Sequence, residues 1–326
     1  MIKKRNLDDS LVQWIMSQTG LGPGVGDLQY MAPASSATSQ YRAQLESMGV
    51  SSGDIHTTLA LAYAKTVDYR NDVILVAPAV YATTPATTWA RSNTHMLGMS
   101  SAPCRGYNPC YFTHTADQDV WITVSGTNNS FHNVRFQHGG TSATNAHCLE
   151  TTGMQNRFYD VHFDGPETTT EAAVSGYDLV KISEEHQNFF NCVFGNPWNA
   201  MTDVSSLVGF TGNKNATAYF KDCTFIKNAG AVGSLYLHTY QSINGGNHIN
   251  FDNCSFQNAG TTTMTYGIDG YGLNTNNVMM FFNNSSFAGC TDVIASTYEA
   301  YVWFSNNATY SANAQTNGLA ANPDVS

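Results

Sequence analysis

A six-residue pattern, F-x-[N/D]-[V/C/S]-x-F, occurs six times in this chain, at 131–136, 158–163, 189–194, 220–225, 251–256 and 282–287. The first step between copies is 27 residues and the next four are each 31. A long fixed period marks a solenoid, in which each copy belongs to one coil and each coil rests on its neighbours. Leucine-rich repeats need an L-x-x-L-x-L frame, which is absent. Helical repeats need Ala-, Leu-, Glu- and Lys-rich segments, whereas these coils carry Gly, Asn, Thr and Ser, residues of turns and strands.

The geometry of one copy says what the coil is. Phe131 and Phe136 both want burial, yet an interval of five residues puts them on opposite faces of a straight strand. A bend between them resolves the conflict. The natural corner is the Asn/Asp position, occupied by Asn133, Asp160, Asn191, Asp222, Asn253 and Asn284. Asn and Asp tolerate the left-handed conformation better than other non-glycine residues. A further short apolar or alternating run precedes most copies, as at 120–124, 178–182, 206–210 and 235–237. Three short strands per coil predict an all-β solenoid, a single-stranded parallel β-helix. Stacking coils at about 4.8 Å lines identical residues into ladders. Two ladders are Phe, one is Asn/Asp, and one runs Val134, Val161, Cys192, Cys223, Cys254, Ser285.

Only 12% of residues are charged and the net charge is −10. That acidic balance makes nucleic acid and anionic membrane poor partners. No apolar run approaches the length of a membrane-spanning helix. The first nine residues are basic but lack the apolar core of a secretion signal, so synthesis in the cytoplasm without export by that route is expected. There are seven cysteines. Three occupy the inward ladder as small fillers, where side chains pointing the same way disfavour a disulfide. Cys104 and Cys110 flank a Gly/Pro loop and are either bridged or free. No Cys/His spacing matches a zinc site, and no cofactor or metal is expected.

Residues 7–18 predict a short helix with Leu11, Trp14, Ile15 and Met16 on its apolar side. A Gly/Pro breaker fills 20–26, and a second short helix is expected over 39–48. A third is expected from Asp54, as its cap, to Lys65. The run Asn71-Asp72-Val73-Ile74-Leu75-Val76-Ala77-Pro78-Ala79-Val80-Tyr81 follows. It resembles the first coil of pectate-lyase-like right-handed β-helix proteins, and 92–99 resembles their next strand. The corner asparagines also match that family's ladder. The resemblance covers about residues 54–296. It implies a right-handed helix whose end is plugged by the preceding helix. The expected organisation is an anchoring arm over 1–53, the β-helix with its capping helix over 54–296, and a C-terminal cap and tail over 297–326.

The family's enzymes use acidic clusters with a basic proton acceptor. Here the densest acidic spots are Asp164, Glu167 and Glu171, then Glu184 and Glu185. Paired carboxylates about 5–9.5 Å apart serve glycoside cleavage. The weak catalytic candidates are therefore Asp164, Glu167, Glu184 and Glu185, although exposed turns between strands explain them better. His132, His162 and His186 fall near successive corners and are expected as solvated surface.

The whole chain resembles bacteriophage virion proteins built as parallel β-helices. An arm bearing Trp14 and a Gly/Pro hinge precede the coils, and the tail 317–326 does not look like a packed enzyme terminus. The resemblance implies a non-enzymatic structural protein of a phage particle, a head decoration or spike protein, assembled as a homotrimer. Its arm would dock on the major capsid protein or a neighbouring one, through Leu11, Trp14, Ile15, Met16 and Tyr30. The alternatives are a tailspike-type polysaccharide depolymerase or lyase, and a non-catalytic module that binds host glycan.

Overall fold

The computed structural model describes residues 26–34, 40–82, 86–100, 109–114, 120–139, 147–168, 172–174, 176–202, 205–211, 217–240, 248–276, 278–306 and 309–311. Their strands form three long parallel walls and one small strand pair. The first wall has 11 strands and contains Ser130–His132, Arg157–Tyr159, Gln187–Phe190, Ala218–Lys221, His248–Asp252 and Met279–Asn283. The second has 9 and contains Arg135–His138, His162–Asp164, Val193–Phe194, Thr224–Lys227, Ser255–Asn258 and Ser286–Ala288. The third has 7 and contains His147–Thr151, Tyr177–Ile182, Ser205–Phe210 and Leu237–Thr239. Each coil visits the walls in that order, so the repeat seen in the sequence is one turn of a parallel β-helix.

The predicted ladders stand in register. Phe131, Phe158, Phe189, Phe220, Phe251 and Phe282 pair along the first wall. Phe136, Phe163, Phe194, Phe225, Phe256 and Phe287 pair along the second. Ring centroids step by 4.8 Å from Phe158 to Phe189, 4.8 Å to Phe220 and 4.7 Å to Phe251. The two columns meet edge to face, with 5.5 Å between Phe189 and Phe194. Stacked within a column and T-shaped between columns, the rings take both favoured aromatic geometries.

The ladders run further than the motif does. Phe304 continues the first column beyond Phe282, while Phe112 and then Tyr81 extend the second below Phe136. Phe304 lies in Val302–Ser305, which pairs with Met279–Asn283 as another strand of the first wall. The segment 297–326, expected as a cap and tail, thus contributes rungs to the solenoid.

Every corner residue has positive φ, from 47° at Asn284 to 56° at Asp222. The corner side chains also bond to one another: Asn253 Nδ2 donates to Asp222 Oδ1 at 2.6 Å, and Asn284 Nδ2 to Asn253 Oδ1 at 3.0 Å. Beside them, the cysteine ladder has a polar role as well as a filling one. The thiols of Cys192, Cys223 and Cys254 reach back one coil to the carbonyls of Phe158, Phe189 and Phe220, at 3.4, 3.4 and 3.6 Å. Ser285 Oγ makes the same contact to Phe251, at 3.4 Å. Shared geometry explains why Ser285 can take the place of Cys in the last of these rungs. Asn253→Ala is expected to cost about 2–4 kcal/mol, summing left-handed strain of roughly 1–2 and two lost hydrogen bonds of roughly 0.5–1 each. Asn253→Gly should cost less, because glycine removes the strain, and urea denaturation of the two variants checks this.

The N-terminal elements differ from expectation in their limits. Helix α1 spans Gln40–Ser47. Helix α2 spans Leu59–Lys65 and is capped by Thr58, whose hydroxyl accepts from the Leu61 amide at 3.3 Å. Asp54 is not the cap, because Ile55–His56 is held as a strand beside Tyr30 and Met31. Leu59 and Ala62 of α2 pack into the solenoid core with Met31 and Ile74. A second core lies on the outside of the first wall, where Tyr30, Val73, Leu75 and Leu97 meet Leu45 of α1. Leu28–Met31 is therefore a wall strand inside the segment expected as an arm. Tyr30, expected among the assembly contacts, is 4% exposed and belongs to that second core. Leu11, Trp14, Ile15 and Met16 lie outside the described residues. Helix α3, Tyr271–Asn276, had no signal in the sequence. No described helix is long and apolar enough to cross a membrane.

Candidate functional site

The second wall places a charged cluster where its strands turn toward the third. Arg135 and His162 are register partners, as are Gln137 and Asp164. Because Phe136 and Phe163 point inward, Arg135 and Asp164 point away from the aromatic core. Asp164 is nevertheless fully buried. Its Oδ2 accepts from Arg135 Nε at 2.8 Å and also from Arg135 Nη2. Its Oδ1 accepts from Asn196 Nδ2 at 2.6 Å. The guanidinium also lies over the Tyr111 ring, 4.4 Å from its centroid. Asp164 thus joins three successive coils. Expected in an exposed turn, it is instead a buried clasp.

Glu167 follows in the same turn, and burial, reinforced by the Asp164 charge, pushes its carboxyl up to about 7, against a smaller lowering from Arg135. A carboxyl so poised can give or take a proton near neutrality. The second carboxylate that glycoside cleavage requires would be Asp164, which is buried and held on both oxygens. Glu171 lies outside the described residues.

Glu184 and Glu185 sit at a different corner, between Tyr177–Ile182 of the third wall and Gln187–Phe190 of the first. Glu185 lies 3.5 Å from His186, whose backbone is left-handed at φ 58°. The fold therefore brings Asp164 and Glu167 together and keeps both apart from Glu184 and Glu185. His186 is exposed as expected, but His162 is half-buried and its Nε2 is 3.0 Å from the Gly195 carbonyl. His132 is a correction: it is 5% exposed and stacks on Tyr159 at 4.6 Å. Burial, with His95 nearby, drives it down to about 3, so it is neutral at ordinary pH.

A second cluster, on the third wall, was not anticipated. Asp178 is fully buried; Ser206 Oγ donates to its Oδ1, and Tyr240 Oη donates to its Oδ2 at 2.6 Å. Gly209 makes the space, since a Cβ there would lie 2.2 Å from Asp178 Oδ2. His238 bridges two carboxylates, with Nδ1 3.7 Å from Asp178 Oδ1 and Nε2 3.3 Å from Asp269 Oδ2. Burial alone would lower its affinity for the proton, but hydrogen bonds to Asp178 and Asp269 outweigh this and raise it to about 9. Behind this wall Lys227 is fully buried, with Nζ 2.6 Å from the Ser205 carbonyl; burial pushes it well below the usual lysine range, with Asp178 opposing.

His238 gains its partners on folding, so its contribution is complete below its unfolded value, near 6.5, and is lost as pH rises through about 9. The melting temperature of the wild type should therefore fall between pH ~6.5 and ~9.5, and His238→Asn should flatten that fall. Equal slopes in the two proteins would contradict the bridge.

The sequence could have pointed to this cluster only through the third-wall register, in which Asp178 meets Ser206, Gly209 meets His238, and His238 meets Asp269. No residue type repeats along that line. Among the described residues no group of three His, Cys, Asp or Glu side chains is placed to hold a metal ion.

No protein-family model matches the chain, and no curated protein matches its sequence. Solved structures do match its shape. The pectin methylesterase of Aspergillus niger aligns at 15% identity and TM-score 0.56, covering 94% of each chain. Pectin methylesterase PemA of Erwinia chrysanthemi aligns at 14% identity and TM-score 0.55, covering 91% of this chain and 92% of that one. Pectate lyase Pel9A aligns at 16% identity and TM-score 0.50, covering 94% and 84%. The fold is that of the pectin methylesterases and pectate lyases. At such identities the likeness is one of architecture, and this architecture carries many unrelated activities.

Proposed function

We propose that the protein is a non-enzymatic structural component of a bacteriophage particle, a decoration or spike protein on the head. The observation that carries the reading is the outer face of the first wall. Near its C-terminal end Met279, Phe281 and Trp303 stand 38%, 36% and 57% exposed. Phe281 and Trp303 are register partners, and Met279 shares their face two residues earlier. The same face near residues 72–98 is covered by α1. A contiguous exposed apolar group of this kind marks a protein contact. The occupant proposed is another copy of the chain, in a homotrimer, with Leu11, Trp14, Ile15 and Met16 of the arm docking the assembly on a capsid protein.

The charged clusters support the same reading. Asp164 and Asp178 are both buried and held on both oxygens by other coils, which suits clasps better than nucleophiles. A depolymerase or lyase remains the second reading, because Glu167 is poised near neutrality. Light scattering tests the first: the wild type is expected at the mass of a trimer, and Phe281→Ala with Trp303→Ala at that of a monomer. A wild-type monomer would remove the surface argument. Host polysaccharide incubated with the protein is expected to release neither reducing ends nor unsaturated sugars. Release that disappears in Glu167→Gln would establish the second reading instead.

A further inference from the structure

Helix α2 is built almost wholly from apolar residues. Its sequence, Leu-Ala-Leu-Ala-Tyr-Ala-Lys, carries a single charge, at Lys65. Leu59 and Ala62 face the solenoid core. On a surface helix the opposite side is polar. Here that side presents Ala60, Leu61 and Ala64, all exposed, with Leu61 at 54%. The turn after the helix adds Val67 at 46% and Tyr69 at 69%, the latter left-handed at φ 58°. A helix apolar all round belongs under cover.

The path of the chain supplies that cover. Residues 1–25 lead into the described structure at Gly26, whose amide donates to the Asn71 carbonyl at 2.9 Å. The Asp27 amide donates to Asp72 Oδ1 at 2.8 Å, and the Val67 amide donates to the other oxygen of the same carboxylate at 2.6 Å. One buried carboxylate thus fixes the entry point beside the C-terminal end of α2. We infer that residues 7–18 fold back over the outer side of α2, with Leu11, Trp14, Ile15 and Met16 against Leu61 and Val67. The connection 19–25 has seven residues. Extended, it reaches up to about 25 Å, whereas a helix the length of α2 is only about 10 Å long. Its Gly20-Leu21-Gly22-Pro23-Gly24 run favours a reversal of the chain. A stripe tethered this close meets α2 at a far higher effective concentration than one brought by a second copy. Docking of the same stripe on a capsid protein would have to displace it from α2, so the contact would keep the arm closed until assembly. The inference stands whether or not the protein belongs to a particle.

Cross-linking of the full chain tests it. In a Cys104→Ser background, Leu61→Cys is combined with Leu11→Cys or with Ile15→Cys and the protein is mildly oxidised. The six described native thiols are buried and stay out of the reaction. At least one pair is expected to close within a single chain, read as a faster monomer band on a non-reducing denaturing gel and as the linked peptide by mass spectrometry. Failure of both pairs to close overturns the inference. Links formed only between chains overturn it in favour of a second copy as the occupant. Acrylamide quenching of Trp14, taken as the difference between wild type and Trp14→Phe, gives an independent reading. Quenching is expected to be weak in the wild type and severalfold stronger once Leu61→Asp and Val67→Asp are introduced together. Both positions are exposed, so circular dichroism should show the solenoid intact in that variant. Trp14 quenched equally with and without the two aspartates overturns the inference as well.

Discussion

Phe225→Ala is expected to lower the free energy of unfolding by about 3–5 kcal/mol, the range for truncating a large aromatic side chain in a packed core. Phe225 stacks on Phe194 at 4.7 Å and on Phe256 at 4.3 Å, and it meets Phe251 edge-on at 6.0 Å. It is fully buried. The rings above and below are fixed by the parallel register of their own strands, so they cannot move in to fill the void. Phe225→Leu retains most of the volume and should cost much less. Urea denaturation of both variants decides. A loss under about 1 kcal/mol for Phe225→Ala would mean that the ladder collapses around the gap and does not stabilise the coil.

Arg135→Ala is expected to cost a comparable amount, about 3–5 kcal/mol, for a different reason. The substitution leaves Asp164 fully buried with Asn196 as its remaining clasp partner in the bonds described above. Breaking one side of a buried ion pair strands a charge, whereas replacing both sides with apolar groups does not. The double variant Arg135→Met with Asp164→Leu should therefore be more stable than Arg135→Ala alone. A double-mutant cycle measures the coupling. Additive losses would show that the guanidinium and carboxylate stabilise the coils independently.

These two sites mark the line between what the sequence discloses and what it conceals. Phe225 was legible because six copies of one pattern stack in register, and a repeat turns a contact in space into a period along the chain. The same holds for the left-handed corners at Asn133 through Asn284, since few residue types tolerate that conformation. The ends of the ladder were hidden because Phe112, Tyr81 and Phe304 fall outside the motif. Asp164, His132 and Lys227 were hidden for another reason. Polar residues in a low-charge chain look like surface, and their burial depends on which loops and neighbouring coils cover the wall. Asp178, His238 and Asp269 come from separate coils of the third wall, on lines where the residue type changes from coil to coil, so only the register brings them together. The helix at Tyr271–Asn276 contains Gly272, Asn274 and Asn276, poor helix formers that tertiary packing overrides. The Asp54 cap failed because Ile55–His56 pairs as a strand, and the helix starts after Thr58.

The proposed role rests on position in a particle, so position is the most direct measurement. Purified phage particles carrying this protein, decorated with antibody fragments raised against the β-helix, can be imaged by electron microscopy. The proposal predicts label at regularly spaced sites on the head, lost when residues 1–25 are deleted from the chain. Label confined to the tail tip, together with sugar release from host polysaccharide that Glu167→Gln abolishes, would contradict it.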